Sequence, residues 1–237
     1  LVAGCGTGQH AITTASKYKK SFITAIDLSI HSLSYAKRKA EELGIKNIDF
    51  IQMDLLNLNS YKKKFDIIEA VGVLHHMERP YEGWNILYDN LSMGGLIMIG
   101  LYSEIARQHI KKIRNDIKKL KIKNNKEDIK NFREKIILSN NKNYKLIKKS
   151  PDFYSFSNLV DLLFHVKEHR FTIPEISNYL NELNLRFCGF ENRELVNFFK
   201  ANHKNYSNIY DLDLWNKFEI SNPRIFAGMY QFWCQKI

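Results

Sequence analysis

Five residues near the start of the chain, Gly4-Cys5-Gly6-Thr7-Gly8, carry the clearest chemical signal. Glycine has no Cβ and tolerates positive φ, so such a turn brings bare backbone close to a ligand. Asp27 stands 19 residues beyond Gly8, and Asp54 follows in Gln52-Met53-Asp54-Leu55. A carboxylate about 20 residues past a glycine turn is placed to accept hydrogen bonds from vicinal ribose hydroxyls. His75-His76 follows the apolar run Phe65–Val71. Imidazole titrates near neutrality, so either ring is a candidate general base. A further cluster, His165-Val166-Lys167-Glu168-His169, has H-x-x-E-H spacing. On one helix face that spacing offers two imidazoles to zinc. No third ligand is evident from the spacing, and no metal centre is expected.

These residues need a scaffold that brings them together. Strand-like and helix-like segments alternate through the first hundred residues, the signature of βαβ units and a parallel sheet. Leu1–Ala3 ends a buried strand, and a helix runs from about Gln9 to Tyr18. Phe22–Ile26 is the second strand, with Asp27 at its end. Ser29 caps a helix running to Leu43, with Gly44 after it. Ile48–Gln52 and Phe65–Val71 are the next strands. A helix carrying Trp84, Leu87 and Leu91 follows, and Gly94-Gly95 turns into a strand at Leu96–Leu101. In an open α/β sheet, ligands bind at the carboxyl ends of the strands. The glycine turn and Asp27 are therefore neighbours.

Two ligands compete for that geometry. A dinucleotide fingerprint is G-x-G-x-x-G. Here the glycines stand at 4, 6 and 8, and position 9 is Gln9, a spacing that suits a ligand without a pyrophosphate. The run resembles motif I of class I S-adenosylmethionine-dependent methyltransferases. The resemblance continues through Asp27, Asp54 and Phe65–Met77. It implies a Rossmann-like α/β fold, a seven-stranded mostly parallel sheet with the last strand antiparallel, and S-adenosylmethionine as methyl donor. It also implies a donor site of Gly4, Cys5, Gly6, Thr7, Gly8, Asp27, Leu28, Asp54, Leu55 and Val71. Asp54 would accept from the adenine amine, with Met53 and Leu55 packing on the ring. The family usually has an acid where this chain has Val2, which removes one contact to the methionine amino group.

After Tyr102 the pattern changes. Ile105, Ala106, Ile110, Ile113, Ile117 and Leu120 recur at helical spacing, and Ile129, Phe132, Ile136 and Ile137 suggest a second helix. Between Arg107 and Lys149 stand 16 Lys or Arg against 4 acids, whereas the remainder has 20 against 21. This segment therefore holds the whole of the +11 net charge. It could track phosphates, but only Phe132 and Tyr144 would stack on bases, and a solvated helical face is the plainer reading. Pro151 opens an aromatic stretch and a helix through Leu159, Leu162, Leu163 and Val166. Thr172, Pro174 and Glu175 spell a capping box for another helix. Leu185–Glu191 is strand six, Asn192–Phe218 is partly helical, and Ile225–Lys236 is a long final strand. The expected organisation is a donor-binding core over 1–102, a basic helical lid over 103–171 and a core completion over 172–237. Tyr154, Asp161, His165, His169 and Arg170 are the substrate-facing candidates of that lid, and His76, His75, His165 and Tyr154 the catalytic ones.

The stretch 150–171 and the closing Asn222–Lys236 resemble methyltransferase domains that follow tetratricopeptide repeats in some bacterial proteins. A repeat region before residue 1 is expected on that ground, as is the reading of this chain as a fragment, since it opens inside a strand. Cys5, Cys188 and Cys234 lie far apart, which suits reduced thiols in a cytoplasmic protein rather than a disulfide framework. No apolar run reaches the roughly 18–20 residues of a membrane helix. No Asn/Asp-Pro-Pro-Tyr/Phe or Pro-Cys follows the fourth strand, so a small-molecule or protein acceptor is favoured over nucleic acid. The rival is a non-catalytic, repeat-linked binding module, against which the retained Gly4, Gly6, Gly8, Asp27 and Asp54 argue.

Overall fold

The computed structural model describes residues 1–202 and 208–237. Its core is a seven-stranded sheet of β1 (Val2–Ala3), β2 (Ile23–Asp27), β3 (Ile48–Gln52), β4 (Phe65–Val71), β5 (Leu91–Leu101), β6 (Leu185–Phe190) and β7 (Tyr230–Lys236). The strand order is β3-β2-β1-β4-β5-β7-β6. β7 runs antiparallel to both neighbours, and the other ladders are parallel. The expected seven-stranded Rossmann-like fold is therefore present. The order reverses between β1 and β4, and such a switch point opens a crevice at the carboxyl edge of the sheet.

Local sequence explains the elements around that crevice. β2 reads Ile-Thr-Ala-Ile-Asp and is buried through its first four residues, as expected of a strand covered on both faces. α1 (Gln9–Lys17) starts at Gly8, whose φ is +82°. α2 (Ile30–Glu42) is capped by Ser29, whose Oγ accepts from the Ser32 N–H at 3.2 Å. It buries Leu33, Ala36 and Ala40 and ends before Gly44, at φ +66°. α3 (Pro80–Asn90) buries Trp84 and Leu87 completely. Removing one such side chain from water contributes about 1.5–3 kcal/mol.

Several boundaries differ from the sequence expectation. β5 begins at Leu91 rather than Leu96, because Ser92–Gly95 stays in the sheet as an irregularity opposite Phe65–Ile67. β7 begins at Tyr230 rather than Ile225, after a turn whose Asn222 and Arg224 carbonyls accept from the Ile225 and Ala227 N–H groups. The first basic helix, α4, covers only Gln108–Lys119. Asn192–Phe218 holds α9 (Arg193–Asn202) and part of α10 (Leu212–Ser221), and residues 203–207 of that stretch lie outside the described residues.

Between β5 and α8 (Ile173–Glu182) lies a helical insertion built of α4, α5 (Lys126–Leu138), α6 (Lys142–Ile147) and α7 (Phe156–Phe164). It has its own apolar core, centred on Ile113, Ile136, Ile147, Phe153 and Leu159. A bridge between Ser103 and Phe171 closes its stem. α8 carries the expected capping box, with Glu175 Oε2 accepting from the Thr172 N–H at 2.7 Å.

Candidate functional site

A cleft of about 370 Å³ opens at the carboxyl ends of β1, β2, β3 and β4. Gly4, Asp27, Leu28, Asp54, Leu55 and Gly72 are on its wall, joined by Met53, Val73, His76 and Met77. The glycine turn is built for close approach. Gly4, Gly6 and Gly8 have φ of +63°, +52° and +82°, a region that other residues enter at a cost. A Cβ on Gly4 would stand 2.3 Å from Val73 Cγ2, and one on Gly8 2.5 Å from the Ala36 Cβ. A Cβ on Gly6 or Gly72 would meet nothing within 4 Å, so backbone there faces open space.

Asp27 organises the turn. Its Oδ2 accepts from the Gly6 N–H at 2.8 Å and its Oδ1 from the Ser29 N–H at 2.8 Å. Asp54 Oδ1 accepts from the Leu56 N–H at 2.9 Å, which caps the 3-10 turn Leu55–Tyr61. Cys5 is buried, and its thiol is pushed up to about 12 by that burial and by Asp27 nearby. Cys5, Gly6, Thr7, Gly8 and Val71 belong to the same turn and strand end but are not on the cleft wall.

The two adjacent histidines have different fates. His75 is fully buried, and neither ring nitrogen has a hydrogen-bond partner among the described residues. It stacks on Tyr102 at 3.7 Å between centroids. Burial drives it down to about 3, and the neighbouring His76 and Arg107 act in the same direction, so it stays neutral and away from the cleft. His76 is on the cleft wall. Its Nδ1–H donates to the Lys167 carbonyl at 3.0 Å, and its ring lies 3.9 Å from that of His165.

The H-x-x-E-H stretch does not share a helix face. α7 ends at Phe164, and the chain is extended beyond it, so His165 and His169 separate. His169 donates its backbone N–H to the His75 carbonyl at 2.8 Å. Glu168, with its side chain 2% exposed, sits among Arg107, Arg114 and Arg170. Burial would raise it, but the guanidiniums hold its carboxyl below the usual carboxylate range. Arg170 is committed to Glu104 at 2.7 Å and to Glu168 at 3.2 Å, so its role is to lock the insertion stem. Tyr154 is exposed and donates its hydroxyl to the Lys148 carbonyl, off the cleft wall. Asp161, in the last turn of α7, faces His76 and His165.

A larger cavity of about 490 Å³ lies between the insertion and the turn before β7, with Arg107, His109, Lys149 and Arg224 on its wall beside Asp152. None of the glycine-turn residues reaches it, so the smaller cleft is the candidate site. Sequence reasoning missed Leu56 and Glu78 on that cleft, which no motif marks, whereas Met77 closes the stretch Phe65–Met77 already singled out. It also missed Glu69 of β4, which pairs with His10 Nε2 at 2.9 Å under the glycine turn.

A family model described as a methyltransferase domain matches residues 1–152. An uncharacterised protein of Synechococcus is 29% identical over 206 residues, 82% of this chain and 48% of that protein. A malonyl-[acyl-carrier protein] O-methyltransferase of Ilyobacter polytropus is 26% identical over 169 residues, 70% of this chain and 61% of that enzyme. Among solved structures, PKMT2 from Rickettsia typhi superposes over 98% of this chain and 48% of its own, with a TM-score of 0.74 at 15% identity, a likeness of fold. The chain thus spans about half the length of the Synechococcus and Rickettsia proteins. Among the described residues no helix is long and apolar enough to cross a membrane.

Proposed function

We propose, since the chain belongs to this methyltransferase-domain family, that it is a class I S-adenosylmethionine-dependent methyltransferase acting on a small-molecule or protein acceptor. The observation that carries the reading is the convergence of Gly4, Asp27, Asp54 and Gly72 on one cleft at the sheet's switch point. The open space at Gly6 and Gly72, where a Cβ would meet nothing, fits a cradle for a bound molecule.

When bound, S-adenosylmethionine supplies an already activated sulfonium methyl. The chain's part is orientation and exclusion of water. Asp27 has lone pairs left over from its two backbone bonds to receive ribose hydroxyls. Asp54 has Oδ2 without a partner among the described residues, available to an exocyclic amine, with Met53, Leu55 and Leu28 on the same cleft. Gly4, Cys5, Gly6, Thr7 and Gly8 supply turn backbone, and Val71 leads the strand end to Gly72. A proton acceptor is required only where the acceptor nucleophile is protonated. His76 is the imidazole on the cleft wall for that task, and the buried His75 is not placed for it. The helical insertion serves as the lid, and a reducing, cytoplasmic setting suits the three free cysteines. The stretch 150–171 and the closing strand support the finer reading of a domain that follows tetratricopeptide repeats.

Calorimetric titration of S-adenosylmethionine and S-adenosylhomocysteine tests the reading, with Asp27→Ala alongside. Micromolar binding lost in the variant is expected. A cooperatively folded chain that binds neither compound overturns it in favour of a non-catalytic module.

A further inference from the structure

We propose that His76, Asp161 and His165 form a site for a divalent transition metal of the zinc class, which ties the end of α7 to the wall of the cleft. One potential ligand atom from each residue lies within 4.8 Å of those of the other two. His76 ends the 3-10 turn after β4, Asp161 is in the last turn of α7, and His165 follows that helix directly. The two sides of the site are thus 85 residues or more apart in sequence.

Three observations distinguish this cluster from a chance meeting of polar side chains. First, the two imidazoles share one outer partner. His76 Nδ1 lies 3.0 Å and His165 Nδ1 2.6 Å from the carbonyl oxygen of Lys167. For His76 that approach places the proton on Nδ1; His165 Nδ1 also lies 3.2 Å from the Lys167 N–H, from which it accepts in the other tautomer. Neutral His76 then keeps its lone pair on Nε2, and His165 does so in the tautomer that donates to the Lys167 carbonyl. A backbone carbonyl that fixes the tautomer in this way is the usual outer support of a metal-bound histidine. Second, both Nε2 atoms and the Asp161 carboxylate are without a hydrogen bond or an ion pair among the described residues. Third, the donor set fits one class of ion. Two imidazoles and one carboxylate suit zinc and its neighbours over magnesium or calcium, and three protein ligands leave a fourth position for water. Ligand atoms of a tetrahedral zinc centre lie about 3.4 Å apart. Asp161 is exposed, so its side chain is free to turn toward a bound ion.

The consequence is specific. A bound cation commits the His76 Nε2 lone pair, so His76 ceases to be available as a proton acceptor, and the insertion is held against the cleft. His169 and Glu168 lie outside the cluster, and Glu168 is surrounded by arginines.

The test needs no methyl donor, so its outcome is separate from that of the methyltransferase reading. The metal-free, tag-free chain is titrated with cobalt(II) and followed by its visible absorption, then with zinc(II). One equivalent of cobalt is expected to give the intense bands of tetrahedral coordination, and one of zinc to abolish them. His165→Ala and Asp161→Asn, both at partly or fully exposed positions, are expected to weaken binding by about tenfold or more. His169→Ala, in the same stretch but outside the cluster, leaves it unchanged. Thermal melts show that each variant is folded, and zinc raises the melting temperature of the parent chain but not of the first two variants. The proposal is overturned if the parent chain gives no tetrahedral spectrum, or if His165→Ala and Asp161→Asn bind the metals as it does.

Discussion

Asp27 holds the turn that it faces: its Oδ2 accepts the Gly6 N–H at 2.8 Å, so the end of β2 fixes the loop after β1 before any ligand arrives. A charge-assisted bond of this kind is worth about 1.5–3 kcal/mol. Asp27 is only half-buried, so Asp27→Asn, which keeps one acceptor oxygen, is expected to cost about 1 kcal/mol of stability. Affinity for S-adenosylmethionine should fall by more than tenfold, because the amide cannot accept from two ribose hydroxyls and Gly6 together. Denaturant titration and calorimetry on the same sample separate the two effects. Equal affinity in Asp27→Asn would show that the carboxylate serves the turn alone.

The glycines divide into two kinds, and alanine substitutions should show it. In Gly8→Ala the new methyl meets the Ala36 Cβ at 2.5 Å in a backbone at φ +82°. Left-handed backbone costs about 1–2 kcal/mol, and forcing a methyl between packed helices about 1–3 more. A loss of about 2–5 kcal/mol in unfolding free energy is therefore expected. Gly6→Ala carries the backbone cost only, since its methyl meets no atom within 4 Å. Its stability should fall by about 1–2 kcal/mol. Chemical denaturation that ranks Gly6→Ala below Gly8→Ala in stability would contradict this division.

Much of this could be read from residue order because the signals are local. The Gly4–Gly8 turn, Asp27 at a strand end, Ser29 as a cap and the Thr172–Glu175 box each act within a few positions. Boundaries failed where a distant partner decided them. The Gly94-Gly95 pair looks like a turn, yet β4 keeps Leu91 paired with Phe65 on the near side of it. Val166 continues the apolar spacing of α7, but the helix stops at Phe164 and Arg114 binds the His165 carbonyl. Histidine spacing misled for the same reason. His165 meets His76, far back in the chain, rather than His169 four residues on.

Glu168 pins the insertion through three arginines, and removing its charge should loosen the insertion. Arg107 is 5% and Glu168 2% exposed, so Glu168→Gln leaves buried guanidiniums without their counter-charge. Breaking a buried pair in this way costs about 3–5 kcal/mol. The pH dependence has a definite sign. The carboxyl is held below its ordinary value in the folded chain, so its contribution is present above the usual glutamate range of about 4.3. It is lost as pH falls through the lowered folded value. Melting curves of the parent chain should decline on acidification, and those of Glu168→Gln should decline less. Parallel curves would show that the arginines are neutralised by other acids.

Glu219 presents the opposite case. It is fully buried and held by the hydroxyls of Ser103 at 2.6 Å and Tyr230 at 2.7 Å, with no ion pair among the described residues. Burial therefore raises its pKa, although both hydroxyls act to lower it. An acid raised on folding binds its proton more tightly in the native state. Stability from this group is then full below the usual glutamate range of about 4.3 and is lost as pH climbs through the raised value. This window lies above that of Glu168, so the two effects can be resolved in one pH series. Glu219→Gln keeps an acceptor oxygen and adds donors that the hydroxyls can accept. It should flatten the decline and leave the chain at least as stable at pH 7. Glu219→Leu strands both hydroxyls and should cost about 1–3 kcal/mol for each. If Glu219→Gln instead destabilises the chain at pH 7 as much as Glu219→Leu does, the ionised carboxylate is a net support of the fold and the assigned sign is wrong.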